Sequence, residues 1–387
     1  MSDLTMSDLN ALITPASAQD LSSHSQTLSE NFNQSNQSNQ SNQLKLWLPK
    51  QVLFTPAAIE ESWGQQIYQR VSNLGLPITK LKSNRVTGLR GESERETYAK
   101  AKQTMAVVNA PPSALKLQPI PPSADWQFHL AEGCPAHCQY CYLASSLSGP
   151  PVIRAFGNLP KILDATDSYT KEDGLTSFEV SCYTDPLSLE HLTGSLSECI
   201  RYFGTQPNKR LRWVSKFNNV VPLLPLEHNG HTRCRVSINA DPVSKGFEGG
   251  TASVSDRIQA LRTLALPKAQ GGGGYPVGFV IAPIMAFEDW RRSYEQLFEE
   301  IEVALNFPCD LTFELITHRF TAKSKDVLNS WYPNSNLDMQ MGDRTTKRNK
   351  FGGIKYVYNK ETTQALHDFF ARQIEQRFPQ ATLLYWT

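Results

Sequence analysis

The sequence predicts an α/β fold: six parallel β/α units in an open or partial barrel, preceded by a helical region and followed by a strand–helix–strand tail. Three observations predict it. From Trp126 onward, short apolar strand-like runs alternate with helix-like runs, the pattern of parallel β/α units. Five of the six strands end in titratable or amide side chains, where β/α barrels place their reacting groups. The first strand leads into Cys134-Pro-Ala-His-Cys138-Gln-Tyr-Cys141, three thiols at C-x3-C-x2-C spacing.

The elements follow in order. Residues 1–43 form a polar leader with an Asn/Gln/Ser triplet repeat from Asn33 to Gln43; it lacks an apolar period and is read as disordered. Residues 44–125 are read as a helical and extended region packing on the barrel, with helices at Ala57–Leu74 and Glu92–Met105 and a proline-rich connector at 111–122. Residues 126–387 are read as the barrel and its extension. Its strands are Trp126–Leu130, Phe178–Cys182, Leu211–Ser215, Cys234–Ile238, Val277–Ala282 and Leu311–Ile316. Helices are expected at Leu159–Tyr169, His191–Phe203, Val254–Leu266 and Phe287–Leu305. The last carries Trp290, Tyr294, Leu297, Phe298, Ile301 and Leu305 on one face. The tail adds a strand at Gly353–Tyr358, a helix at Thr362–Gln376 and a strand at Thr382–Trp386.

Composition narrows the function. The 387 residues are 40% hydrophobic, enough for a sizeable core, and the net charge of +1 gives no global field for nucleic acid. A DNA contact must therefore come from a local patch. Seven cysteines, three of them clustered, argue against a secreted disulfide framework and for a metal site in a reducing cytosol. There is no signal-peptide pattern and no apolar run of about 20 residues, so the expectation is a cytoplasmic protein away from the membrane.

Cys134, Cys138 and Cys141 can wrap one soft metal centre, an iron–sulfur cluster or zinc. An ordinary 4Fe-4S cluster takes a fourth cysteine, yet the next one here is Cys182. Three ligands leave one iron open to a cofactor, as S-adenosylmethionine (SAM) radical chemistry requires. A zinc or purely redox site is the competing reading. In the radical reading, SAM chelates the open iron and takes one electron, and its C–S bond breaks to a 5′-deoxyadenosyl radical. Lys216 is placed to pair with the methionine carboxylate, and Ser237 and Asn239 to hydrogen-bond the amino acid or ribose. Thr184 and Asp185 stand behind Cys182 on the cofactor side. The weak S–H bond of Cys182 makes it a hydrogen-atom donor. Tyr140 and Tyr142 flank Cys141 and can relay hydrogen atoms. A buried structural thiol and packing tyrosines are the plainer alternatives.

These segments together resemble the spore photoproduct lyase family of radical SAM enzymes. The resemblance runs from about Gly91 to Thr387 and rests on ordered blocks: residues 138–143 (CQYCYL), 178–185 (FEVSCYTD), 211–216 (LRWVSK), 228–233 (HNGHTR), 237–241 (SINAD), 278–284 (GFVIAPI) and 313–321 (FELITHRFT). It implies a partial (β/α)6 radical SAM barrel with a C-terminal β-hairpin, a 4Fe-4S cluster, SAM, and a reducing donor such as ferredoxin or flavodoxin. It implies a substrate too, the DNA photolesion 5-thyminyl-5,6-dihydrothymine, split back to two thymines. By the resemblance Cys182 quenches the product radical, Tyr140 and Tyr142 help regenerate SAM, Lys216, Ser237 and Asn239 hold SAM, and Arg319 lies near the lesion. Two positions depart from the family pattern: Tyr183 replaces a small residue, and Lys350-Phe351 stands where the family carries Arg-Tyr. They motivate a second reading, a family member acting on another nucleic-acid or small-molecule substrate. A non-catalytic iron–sulfur or DNA-binding protein is the third.

Arg344, Lys347, Arg348, Lys350 and Lys355 sit among Phe351, Tyr356 and Tyr358. Basic runs are usually solvated loops. With aromatics interleaved, this one also reads as a phosphate-tracking patch with stacking side chains. Lys350, Phe351 and Tyr356 are its candidate DNA contacts, together with Arg319.

Overall fold

The alternation read from Trp126 onward folds into one curled sheet of eight strands. The structure is a computed structural model that describes residues 46–145, 150–348 and 353–387. The leader read at 1–43, and Lys350 and Phe351, lie outside the described residues. Six parallel strands stand side by side in chain order: Ala124–Phe128, Thr176–Val180, Lys209–Ser215, Thr232–Ile238, Val277–Ile284 and Leu311–Thr317. Thr382–Trp386 adds a further parallel strand beyond the sixth, and Gln118–Ile120 pairs antiparallel outside the first. Each expected barrel strand is present, with ends shifted by a few residues.

The two faces of this sheet have opposite chemistry. On the helix side, Phe178, Leu211, Trp213, Cys234, Val236, Phe279 and Phe313 are buried. Burying each large apolar side chain stabilises the fold by about 1.5–3 kcal/mol. The inner face alternates with them, as strand geometry demands, and carries charge. Arg235 donates to Glu314 (2.7 and 2.9 Å) and to Glu179; Arg212 also donates to Glu314, as does the Tyr385 hydroxyl (2.6 Å).

The helix Trp290–Ala304 buries Tyr294, Leu297, Phe298 and Ile301 on the face its spacing predicts. It begins three residues later than expected, after Asp289 in a left-handed conformation (φ 57°). Gly194 (φ 66°) divides the helix expected at His191–Phe203 into Glu190–Thr193 and Ser195–Gly204. Two helices escaped the sequence reading, Asp241–Phe247 and Ala322–Trp331. Both are short, and the second starts on a Thr321/Ser324 capping box, which lacks the acidic residue that would have flagged it.

The larger correction falls before the barrel. The region read as helical and extended holds a second sheet, ordered Ile78–Lys80, Gln51–Phe54, Thr104–Val108, Ile153–Phe156, Ala131–Glu132. Its last two strands come from beyond residue 125, so the sheet straddles the expected domain boundary. The helix expected at Glu92–Met105 is Glu94–Lys102, and Thr104–Val108 follows as a strand. No glycine or proline separates them, so the sequence gave no punctuation. The helix expected at Ala57–Leu74 is two, Pro56–Glu60 and Ser62–Asn73, parted at extended Glu61. Among the described residues, no helix is long and apolar enough to cross a membrane.

Candidate active site

The cysteine loop follows the first barrel strand and is held by backbone contacts. His137–Cys138 pairs antiparallel with Glu248–Gly249. Gln139 N donates to Phe247 O (2.9 Å) and Gly133 N to Tyr183 O (2.9 Å). The approach is close: a Cβ on Gly250, whose φ is +73°, would lie 3.2 Å from the His137 ring. The His137 ring lies 3.0 Å from the Tyr98 hydroxyl.

Cys134, Cys138 and Cys141 line one cavity with Tyr98, Lys102, Trp331 and Tyr332. Burial pushes all three thiols up, Cys134 to about 12, so each needs a positive centre to become a thiolate. Among the described residues, no three His, Cys, Asp or Glu side chains are grouped to hold a single ion. A zinc ion would draw its thiolates to about 2.3 Å. These cysteines instead surround a space of about 40 Å³, room for more than one atom. Three soft thiolate donors around one cavity fit an iron–sulfur cluster.

Beside the loop lies a charged cluster. Lys216 Nζ donates to Ser237 Oγ (2.9 Å) and Glu248 Oε1 (2.8 Å). Arg257 reaches the other Glu248 oxygen at 2.6 Å. The Tyr140 hydroxyl also donates to Glu248. Burial opposes ionisation of Glu248, but Lys216, Arg257 and the hydrogen bonds outweigh it and bring its pKa down to about 2. Burial and that carboxylate push the Tyr140 phenol upward.

Asp185 acts behind this cluster. One oxygen accepts from Ser215 Oγ (2.7 Å) and Ser188 N (3.2 Å), the other from Lys216 N (2.7 Å). Burial nonetheless raises its pKa. Both oxygens accept from the protein, one of them from the Lys216 backbone, so Asp185 holds the Lys216 segment in place. Asn239 is likewise occupied, donating to Pro283 O (2.7 Å) and accepting from Ala240 N and the Tyr294 hydroxyl (2.8 Å). Thr184 Oγ1 is buried without a hydrogen-bond partner.

Cys182 follows Ser181, whose φ of 64° is left-handed, an unusual conformation for serine that turns the chain sharply at the strand end. Burial raises the Cys182 pKa, and Glu179 adds to the effect. The Tyr142 hydroxyl donates to Cys182 O. The two tyrosines thus part company: Tyr142 is tied to Cys182, Tyr140 to the Lys216–Glu248 cluster.

Farther out, the hairpin strands Thr345–Arg348 and Ile354–Val357 pair antiparallel, placing Lys347 directly opposite Lys355. Tyr356 stacks on Phe320 (centroids 5.4 Å apart) and bridges to it through the backbone. Its ring anchors the hairpin against Phe320. Arg319, next in sequence to Phe320, is exposed and, with Lys347, depresses the pKa of Lys355, where burial is the larger cause. Arg344 is buried and takes no part in that patch: it lies over the Tyr358 ring and pairs with Asp338.

Residues 47–387 match the family model for spore photoproduct lyase. The chain belongs to the spore photoproduct lyase family. The spore photoproduct lyases of Bacillus subtilis (strain 168) and Geobacillus sp. (strain Y412MC61) are each 38% identical to it, over 88% and 89% of this chain and 99% and 100% of theirs. That of Clostridium acetobutylicum is 32% identical over 87% of this chain. A solved spore photoproduct lyase mutant with bound AdoMet and dinucleoside spore photoproduct superposes with a TM-score of 0.82 at 39% identity, covering 89% of this chain and all of that one. A second, complexed with dinucleoside spore photoproduct, matches equally.

Within this member of the spore photoproduct lyase family, the sequence reading missed Glu248, Arg257, Lys102 and the Tyr98–Tyr332 pair. Glu248-Gly-Gly was the one visible signal: an acid before two glycines, where a backbone must approach closely. Lys102 and Arg257 sit on helices with ordinary polar spacing and gave none.

Proposed function

We propose that this chain is a radical SAM lyase that returns a spore-photoproduct-type thymine dimer in DNA to two thymines. The observation that carries this reading is the convergence of the three-cysteine cavity, the Lys216–Ser237 pair and the Cys182–Tyr142 pair at adjoining strand ends. Cys134, Cys138 and Cys141 would hold a 4Fe-4S cluster. When bound, cluster and SAM supply a 5′-deoxyadenosyl radical on receipt of one electron from a donor such as ferredoxin or flavodoxin.

The protein's own residues do the rest. Lys216, fixed by Asp185 and Glu248, presents an ammonium to the SAM carboxylate. Ser237 and the unpartnered Thr184 hydroxyl offer hydrogen bonds, and Asn239 shapes the pocket wall. Cys182 would give its S–H hydrogen atom to the product radical and become a thiyl. Tyr142, hydrogen-bonded to the Cys182 carbonyl, would return a hydrogen atom to that thiyl and regain one from 5′-deoxyadenosine, while Tyr140 stays engaged with Glu248. The exposed Arg319, with Lys347 and Lys355, takes the DNA phosphates. Like charges directly opposite on two strands repel, and a phosphate between Lys347 and Lys355 relieves that repulsion. Lys350 and Phe351 are proposed as further DNA contacts on the sequence pattern alone.

Anaerobic reconstitution followed by EPR tests the reading. It predicts a four-iron signal that changes on adding SAM, and 5′-deoxyadenosine on reduction. A signal indifferent to SAM would sink it.

A further inference from the structure

We propose that Lys102 is the buried countercharge of the iron–sulfur cluster, favouring the cluster's retention and raising its reduction potential. The inference rests on the reading of Cys134, Cys138 and Cys141 as cluster ligands. Lys102 closes the helix Glu94–Lys102, outside the barrel, and only 7% of its surface is exposed. Its ammonium donates to the carbonyls of Cys134 and Ala136, in the cysteine loop itself. It lines the same cavity as the three cysteines.

What singles it out is the partner it lacks. Every other buried cation among the described residues has a carboxylate: Lys209 has Asp167, Arg235 has Glu179 and Glu314, Arg257 has Glu248, and Arg344 has Asp338. Lys102 has none within ion-pair distance among the described residues; its contacts are the two carbonyls and the Tyr98 ring, whose centroid lies 5.8 Å from the ammonium. A buried ammonium without an anion is costly, and burial is tolerated when a countercharge is supplied. The charges nearest in kind are the cysteine sulfurs. A thiolate-ligated cluster is negative, and one electron deepens that charge, so a fixed cation beside it stabilises the reduced form more than the oxidised one.

The test is an EPR-monitored potentiometric titration of the reconstituted full-length protein, with iron and sulfide counted, for wild type, Lys102→Gln and Lys102→Arg. Lys102→Gln keeps a donor and loses the charge; Lys102→Arg keeps the charge. We expect Lys102→Gln to make reduction at least tenfold less favourable, about 59 mV for a one-electron couple, with Lys102→Arg close to wild type. Loss of iron in Lys102→Gln with retention in Lys102→Arg supports the proposal equally. An unchanged potential in a fully loaded Lys102→Gln protein overturns it, as does equal loss of iron from both variants, which marks a packing role. A wild-type chain that assembles no cluster removes the underlying reading and this one with it, whereas a SAM-responsive wild type with an unshifted variant removes this one alone.

Discussion

The Tyr142 phenol donates to the carbonyl of Cys182, so a phenol and a thiol stand side by side at one strand end. If Cys182 is the donor, Cys182→Ala leaves SAM cleavage near wild type and sends most product radical to other adducts. Product analysis by mass spectrometry checks this; an unchanged product distribution removes Cys182 from its role. Glu248 carries a different prediction. Its folded pKa of about 2 lies below its ordinary 4.5. Its contribution is therefore complete above about pH 4.5 and is lost as the pH falls toward 2, a difference of roughly 3 kcal/mol. Glu248→Gln should lower stability at pH 7 by about 3–5 kcal/mol, since it leaves Lys216 and Arg257 without their carboxylate. It should also flatten the loss of stability below pH 4.5. Urea unfolding of both proteins from pH 7 to 3 measures this, and parallel curves would contradict it.

At the scale of elements, two segments bring distant parts of the chain to the barrel mouth. The Glu248–Gly249 strand seats the cysteine loop, and Gly250 needs both its left-handed backbone and its missing Cβ there. Gly250→Ala should cost about 1–2 kcal/mol and lower the iron retained per chain. Full iron occupancy at wild-type stability would show that the loop is seated otherwise. The hairpin is the second segment. Lys355→Ala removes one of two opposed lysines, so it should leave the fold as stable or slightly more so. It should also weaken DNA binding evenly across sequences and cut the salt slope of log K by about 1. Fluorescence anisotropy at several salt concentrations reads that slope, and no change in it would take Lys355 off the phosphate path. The sequence made the barrel strands legible as short apolar runs around Phe178, Trp213 and Phe313, set between helix-like runs. It hid the second sheet because Thr104–Val108 continues a helix without a break. Cys134, Cys138, Cys141, Cys182 and Lys216 were legible from spacing and strand-end position. Glu248 was marked only by the two glycines after it, because its role depends on a pairing with Cys138 across 110 residues.

Over the whole molecule, the charge follows the geometry of the sheet. The helix side is apolar, and the inner face holds a chain of Arg–Glu pairs from Glu179 through Arg235 to Glu314 and Arg212. Tyr385 of the last strand joins it, so the C-terminal strand belongs to the interior polar network as well as to the sheet. The cysteine cavity, the Lys216 pocket, Cys182 and the basic hairpin stand along the strand ends, at the mouth of this interior. We propose that this order runs from electron entry to lesion. The measurement that tests it most directly is anaerobic incubation of the reconstituted protein with SAM, reductant and dinucleoside spore photoproduct, with thymidine quantified by chromatography. The account predicts two thymidines for each dimer consumed. Formation of 5′-deoxyadenosine with the dimer left intact would contradict it.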